Sequence, residues 1–178
     1  MKRSGVAIAR SGCLSLADIV DPATRSRMMA GIKGKDTAPE MLIRRGLHAR
    51  GLRFRLHAPE LPGKPDLVFP GRKAAIFVHG CFWHGHDCGL FKWPGSRVEF
   101  WRDKISRNVS RDAAAEAALV AAGWRVLVLW ECALKGKERR PLPDVLAETV
   151  AWLDSDQDRK VIRGAQTDGT WGRNRLAE

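Results

Sequence analysis

Three histidines and two cysteines, side chains able to bind a metal or move a proton, stand close together in His79-Gly80-Cys81-Phe82-Trp83-His84-Gly85-His86-Asp87-Cys88. Imidazole titrates near neutrality, and imidazole with thiolate is the donor set that zinc prefers. Packing alone asks for no such density. Just upstream, Gly63-Lys64-Pro65-Asp66-Leu67-Val68-Phe69 sets a carboxylate at the start of a strand. Together the two segments point to metal-dependent chemistry on nucleic acid.

Cys81, His86, Cys88 and Cys132 make a candidate Cys3His zinc site. Cys81-x-x-x-x-His86-x-Cys88 offers three ligands from one loop. Cys132, just beyond an apolar strand, would pin that loop to a sheet. Buried thiols beside a surface histidine fit the same spacing. Asp66, followed by a second strand ending in Phe77-Val78-His79, outlines a restriction-type nuclease core. Phosphodiester hydrolysis needs a divalent ion to neutralise the phosphate and acidify the attacking water. One carboxylate and a neighbouring backbone carbonyl can hold Mg2+. Many such nucleases end the second strand in an acid-x-Lys pair. Here both are missing, and His79 or His84 could act as acid, base or phosphate donor instead.

The elements that must position these groups follow from pattern. A helix is expected from Asp21-Pro22 to Ile32. A second, begun at Asp36-Thr37-Ala38-Pro39-Glu40, runs to about Arg50 with Met41, Leu42, Ile43 and Leu47 as its apolar positions. Glu40 in its first turn suits the helix dipole. Alternation over 52–56 predicts a half-buried strand, and 66–69 and 74–78 two apolar strands joined by Pro70-Gly71-Arg72. Residues 79–95 read as a ligand-tied loop. A long helix fits 97–122, stopped by Gly123. The run 124–130, apolar apart from Arg125, suits a central strand covered on both faces, and a last helix spans 142–153.

On the long helix Lys104, Asn108 and Asp112 share one stripe, which could face a metal or simply water. The chain has seven tryptophans and no tyrosine. Trp124 and Trp130 suit a core, whereas Phe82, Trp83 and Trp101 suit either packing or a wedge that opens a base stack.

The 178 residues give one domain, 18–153, between an N-terminal extension, 1–17, read as disordered, and a polar, flexible tail, 154–178. Thirty-one Lys and Arg against 20 Asp and Glu, a net +11, favour a polyanionic partner. No apolar run approaches the ~18 residues of a membrane span, and no secretory segment is visible. A cytoplasmic protein is expected, its four cysteines acting as ligands or free thiols rather than disulfides.

Several blocks resemble the bacterial very-short-patch mismatch-repair endonucleases (Vsr). They are Asp21-x-x-Thr24-Arg25-Ser26-x-Met28, Asp36-Thr37-x-x-Glu40, Leu61-Pro62-Gly63-Lys64-Pro65-Asp66 and Phe77-Val78-His79-Gly80-Cys81-Phe82-Trp83-His84. Phe100-Trp101-x-x-Lys104-Ile105-x-x-Asn108, Arg111-Asp112, Gly123-Trp124-Arg125-Val126 and Trp130-Glu131-Cys132-Ala133-Leu134 follow, so the likeness covers about 18–140.

The resemblance implies a restriction-endonuclease-like α/β fold, a mixed sheet flanked by helices, with a structural zinc site. It implies a monomer, associated with the nucleoid, that nicks double-stranded DNA with Mg2+ on the 5′ side of the T in T:G mismatches left by deamination of 5-methylcytosine. Mismatch-repair proteins are implied partners, and no membrane. By position, Asp66 and the Val78 carbonyl would hold Mg2+, His84 would be the general base, His79 would assist at the phosphate and Asp112 would orient a histidine. Glu40 and Asn108 would contact water in the metal's shell. Phe82, Trp83 and Trp101 would intercalate, and Cys81, His86, Cys88 and Cys132 would bind Zn2+.

Two departures stand out. Val78 replaces a familiar threonine, which a carbonyl ligand tolerates, and Gly85 and Asp87 thin the familiar histidine run but leave His86. Other readings of the residues are a restriction-type enzyme that cuts both strands of paired DNA and a zinc-stabilised DNA-binding module without catalysis.

Overall fold

The computed structural model describes Thr24 and residues 34–165. The helix expected from Asp21, the 1–17 extension and the chain after Ala165 lie outside the described residues. Between them run α1 (Ala38–Ala49), β1 (Arg55–Leu56), β2 (Leu67–Phe69), β3 (Ala74–His79), α2 (Val98–Ala121), β4 (Arg125–Trp130), α3 (Leu142–Leu153) and β5 (Arg159–Ile162). The strands form one mixed sheet in the order β1-β2-β3-β4-β5. β1, β2 and β3 are antiparallel neighbours, whereas β3, β4 and β5 run parallel. This is the mixed sheet flanked by helices that the family resemblance implies.

The two-residue side-chain period of a strand sorts β3 and β4 onto two packed faces. Ile76, Val78, Leu127 and Leu129 meet Ile43 and Leu47 of α1 and Val145, Leu146 and Trp152 of α3. Ala75, Phe77, Val126 and Val128 meet Leu119 of α2 on the other face. β4 therefore sits between two helical layers, which explains the apolar run from Val126 to Trp130. It also settles where His79 goes: next but one after Phe77, it faces α2.

Local chemistry sets the ends. Thr37 caps α1, its Oγ1 accepting from the Glu40 N–H at 3.5 Å, while Glu40 reaches back to the N–H of Asp36 at 2.9 Å. That is a variant of the capping box, with the N–H before the cap satisfied in place of the cap's own. α1 starts where the sequence predicts. Only Ile43 and Leu47 of its four apolar candidates are buried; Leu42 is exposed. Gly123, at φ +75, turns the chain out of α2, a conformation that costs glycine least.

Two readings change. The strand expected over 52–56 shrinks to Arg55–Leu56, an exposed edge, because Leu52 and Phe54 pack on the core instead of pairing. The stretch from Asp154, read as polar tail, contains β5. β5 is short and mostly exposed, and its partner β4 is distant in sequence, so no local period announces it. No helix among the described residues is long and apolar enough to cross a membrane.

Candidate active site and cysteine–histidine cluster

Strand direction gathers the chemistry at one edge of the sheet. Asp66 precedes β2, which runs antiparallel to β3, so it lies beside the C-terminal end of β3. His79 closes β3, and Trp130 and Cys132 stand at the neighbouring end of β4. In open α/β sheets the carboxyl ends of parallel strands are where ligands are met.

Asp66 is tied to β3 directly: its Oδ2 accepts from the Val78 N–H at 2.7 Å. In extended backbone the N–H and C=O of one residue leave the strand on the same side. The Val78 carbonyl therefore faces the Asp66 side, away from β4. Burial raises the Asp66 carboxyl from 3.8 to about 6, against the Val78 hydrogen bond and helped by nearby Glu40. A carboxylate this desolvated gains from a cation, and its donors here are hard oxygens, which fits Mg2+.

Across the strand end stand the histidines. The rings of His79 and His84 stack at 3.9 Å and 4°. His84 Nδ1 lies 2.5 Å from Asp112 Oδ2, so its Nδ1–H is committed and Nε2 is left to accept a proton. His79 is buried; desolvation and the neighbouring His84 hold it down to about 3, a neutral imidazole. Both rings line a cleft of about 270 Å3 with Asp112, Trp130 and Arg159.

The loop after β3 is shaped to send two histidines to different places. Gly85, at φ +61, lies so close to α2 that a Cβ there would meet Ile105 at 3.0 Å. His84 turns to Asp112, and His86 turns inward to the cysteines. Asn108 of α2 ties the same loop, donating to the Trp83 carbonyl at 2.9 Å, and accepts from Arg111. Asn108 thus braces the loop that carries His84.

Cys81, His86, Cys88 and Cys132 offer four donor atoms within 4.8 Å of one another. Cys81 Sγ and Cys132 Sγ each lie 3.5 Å from His86 Nδ1. Arms of about 2.3 Å to sulfur and about 2.05 Å to nitrogen, at the tetrahedral angle, give an S···N edge of about 3.5 Å. The donor set and its spacing fit zinc. A hydrogen bond shared with Cys81 holds the Cys132 thiol down to about 4 and pushes Cys81 up. His86 also stacks on Trp130 at 4.0 Å, and Trp130 meets His79 edge-on at 5.4 Å. One indole therefore separates the cysteine cluster from the histidine pair.

Phe82, Trp83 and Trp101 form one half-buried patch, with ring centroids 5.1–6.0 Å apart. Lys104 lies over it, 5.4 Å from the Trp83 ring.

A protein-family model described as DNA mismatch endonuclease Vsr matches residues 17–90. The DNA mismatch endonuclease Vsr of Escherichia coli K12 is 49% identical over 124 residues, 70% of this chain and 80% of that protein. The type II nicking enzyme V.XorIIP of Xanthomonas oryzae pv. oryzae is 50% identical over 119 residues, 67% of this chain and 88% of its own length. V.NmeAIP, a type II nicking enzyme of Neisseria meningitidis, is 42% identical over 122 residues, 68% and 87% of the two chains. The chain belongs to the Vsr family.

As a Vsr-family protein it is a mismatch-directed DNA endonuclease, a hydrolase of DNA repair whose partner is DNA. The reading as a binding module without catalysis falls with that finding. Of the site residues expected from sequence, Asp66, Val78, His79, His84 and Asp112 converge on one strand end. Glu40 is buried nearby with both oxygens engaged, Oε1 by Thr37 and Oε2 by Asp36 N–H and Arg44.

Sequence reasoning passed over Arg44 and His57, which stand between Glu40 and Asp66. Arg44 at i+4 from Glu40 and i+8 from Asp36 was a findable signal. It also passed over Phe91 and Trp93, which extend the aromatic patch, Phe91 lying 6.2 Å from Phe82. Glu131, whose Oε2 accepts from the Cys81 N–H at 3.3 Å, carried no signal beyond its place beside Cys132.

Proposed function

We propose that this Vsr-family enzyme nicks duplex DNA on the 5′ side of the T in a T:G mismatch, using Mg2+ at Asp66 and the Val78 carbonyl and His84 as general base. The observation that carries the reading is the His84–Asp112 pair, stacked on a neutral His79 beside a desolvated Asp66.

Mg2+ held there would neutralise the phosphate and acidify the attacking water. The chain's own groups divide the remaining work. Asp112 fixes His84 with Nδ1–H inward, so Nε2 receives the proton that the water gives up. The resulting imidazolium is stabilised by the Asp112 carboxylate. His79, neutral across working pH, has an N–H to offer a phosphate oxygen without competing for that proton. Glu40, whose oxygens already bond Thr37, Asp36 and Arg44, would contact water in the metal's shell through a remaining lone pair. Asn108, expected there too, braces the loop of His84 instead.

Cys81, His86, Cys88 and Cys132 hold structural zinc in this reading, and Phe82, Trp83 and Trp101 enter the base stack. A mismatched pair is cheaper to open than a paired one, which gives the aromatic patch its selectivity. We place the enzyme in the cytoplasm, on DNA.

The test uses end-labelled duplexes, T:G mismatched and fully paired, with Mg2+ and either wild type or Asp66→Ala. A nick 5′ of the T in the mismatched strand alone, lost in the variant, is the expected result. Cutting of both strands of paired DNA would instead identify a restriction-type enzyme.

A further inference from the structure

Asp36, Glu40 and His57 bring their donor atoms within 4.8 Å of one another, as the cysteine cluster does. This trio already surrounds a cation of its own. The Arg44 guanidinium, 7% exposed, pairs with Asp36 through Nη1 and with Glu40 through Nη2 at 2.9 Å. The same Nη2 lies 2.8 Å from His57 Nε2. The described residues include five non-glycine positions at positive φ, and two of them, Asp36 and His57, are the ones that grip Arg44. Backbone held in that region is costly and persists where its surroundings over-determine it.

The contact with His57 has one chemical solution. Arginine nitrogens only donate and keep their protons, so His57 Nε2 must accept. A ring flip would put a carbon at 2.8 Å from a nitrogen, which sterics forbid. The hydrogen of the neutral ring therefore sits on Nδ1, the atom 3.8 Å from Asp66 Oδ1. That distance is too long for a hydrogen bond. It is short enough for one ion to bridge, since two arms of about 2.1 Å span up to about 4.2 Å. The backbone reinforces the pairing, the His57 N–H pointing to the Asp66 carbonyl at 3.4 Å.

We propose that Arg44 and His57 are positioning residues that set metal selectivity: Arg44 locks the His57 tautomer so that Asp66 faces an N–H and never an imidazole lone pair. The inference rests on the reading of Asp66 as the Mg2+ carboxylate. Oxygen donors alone suit Mg2+, whereas an added imidazole nitrogen would draw nickel or zinc by the ordinary order of affinities. His57 is the nearest imidazole able to spoil the site, and the buried guanidinium disarms it.

Ring-nitrogen NMR of 15N-histidine-labelled, full-length protein reads the tautomer without any variant. The expected result is Nδ1–H at His57 in the wild type; Nε2–H there overturns the proposal. Nickel is then titrated by calorimetry into protein carrying one equivalent of zinc, so that the cysteine cluster is already filled. Arg44→Met is expected to bind nickel about 10- to 100-fold more tightly than wild type, a larger gain than any it shows for Mg2+. Arg44→Met with His57→Leu is expected to lose that gain. Equal nickel affinity in wild type and folded Arg44→Met overturns the proposal, as does a gain that survives His57→Leu. Asp66→Asn separates the two readings. Mg2+ binding and nicking that persist in it remove the carboxylate's role itself, whereas their loss with no nickel effect at Arg44 removes only the selectivity device.

Discussion

The imidazoles of His79 and His84 lie parallel, 3.9 Å apart, and of the two only His84 is hydrogen-bonded to a carboxylate, that of Asp112. A proton on one ring disfavours a proton on the other. In the proposed mechanism Asp112 holds His84 through Nδ1 while Nε2 takes the water's proton, so the two side chains act as a unit. His84→Gln and Asp112→Asn are each expected to slow single-turnover nicking of a T:G duplex by about 10²–10⁴-fold. The double variant should be little slower than the worse single one, because both remove the same proton transfer. Losses that multiply would count against a shared role.

Asp66 gives a pH dependence of stability with a definite sign. Its carboxyl titrates at 3.8 in the open chain and about 6 in the fold. Below 3.8 both states hold the proton and the group costs nothing. As pH rises through about 6 the folded protein must carry a buried charge, at a cost of about 3 kcal/mol at most. Asp66→Asn, which keeps an acceptor for the Val78 N–H, should therefore raise the melting temperature of metal-free protein at pH 7.5 and leave it unchanged near pH 3.5. Added Mg2+ should stabilise the wild type and not the variant. A variant less stable than wild type at pH 7.5 without metal would contradict the buried-charge account.

His79 works in the opposite direction. The ring titrates at 6.5 when unfolded and about 3 in the fold. Above 6.5 it is neutral in both states. As pH falls from 6.5 towards 3, the unfolded chain gains a proton that the fold refuses, and stability is lost. Between about 4 and 6 the two groups oppose each other, so the wild type should change little there. His79→Leu should leave a protein that gains stability on mild acidification, and Asp66→Asn one that loses it more steeply. Parallel melting curves of the two variants from pH 4 to 6.5 would refute this assignment.

The cysteine cluster makes a separate claim. Cys132 is buried, 3.5 Å from His86 Nδ1 and hydrogen-bonded by the Gly164 N–H at 3.3 Å, just past β5. A zinc ion there would tie the loop of His84 to the end of β4. Cys132→Ser is expected to release about one zinc per chain and to lower stability by several kcal/mol, since the binding energy of such an ion is folding energy. Full zinc content with unchanged melting would remove Cys132 from the ligand set.

Much of this was legible in the sequence because local chemistry announced it. The Asp36-to-Glu40 cap, the Gly123 stop and the unbroken run before Trp130 each state an element within a few residues. The Cys81-to-Cys88 spacing and Asp66 at a strand start likewise marked the site. What stayed hidden is set by pairing across long separations. β5 exists because β4 offers it an edge, and His57 matters because β1 lays it opposite Asp66. Asn108 and Asp112 were seen as a stripe, but only the fold gives each its partner, the Trp83 carbonyl and His84.

In the proposed reading the aromatic patch carries the mismatch preference, and its geometry says how to test it. Phe82 meets Trp83 and Trp101 edge-on, so the three rings hold one another half exposed rather than vanishing into the core. Lys104 above them adds a positive charge to the patch. Stacking of an aromatic side chain on a base is worth about 1–3 kcal/mol, or about 5- to 150-fold. Trp83→Ala and Trp101→Ala should each weaken binding to a T:G duplex by that factor while binding to paired DNA, which rests on phosphate contacts, changes little. The preference for mismatch should narrow accordingly. An equal loss on both duplexes would make the patch a general DNA contact, and no loss on either would return these rings to packing alone.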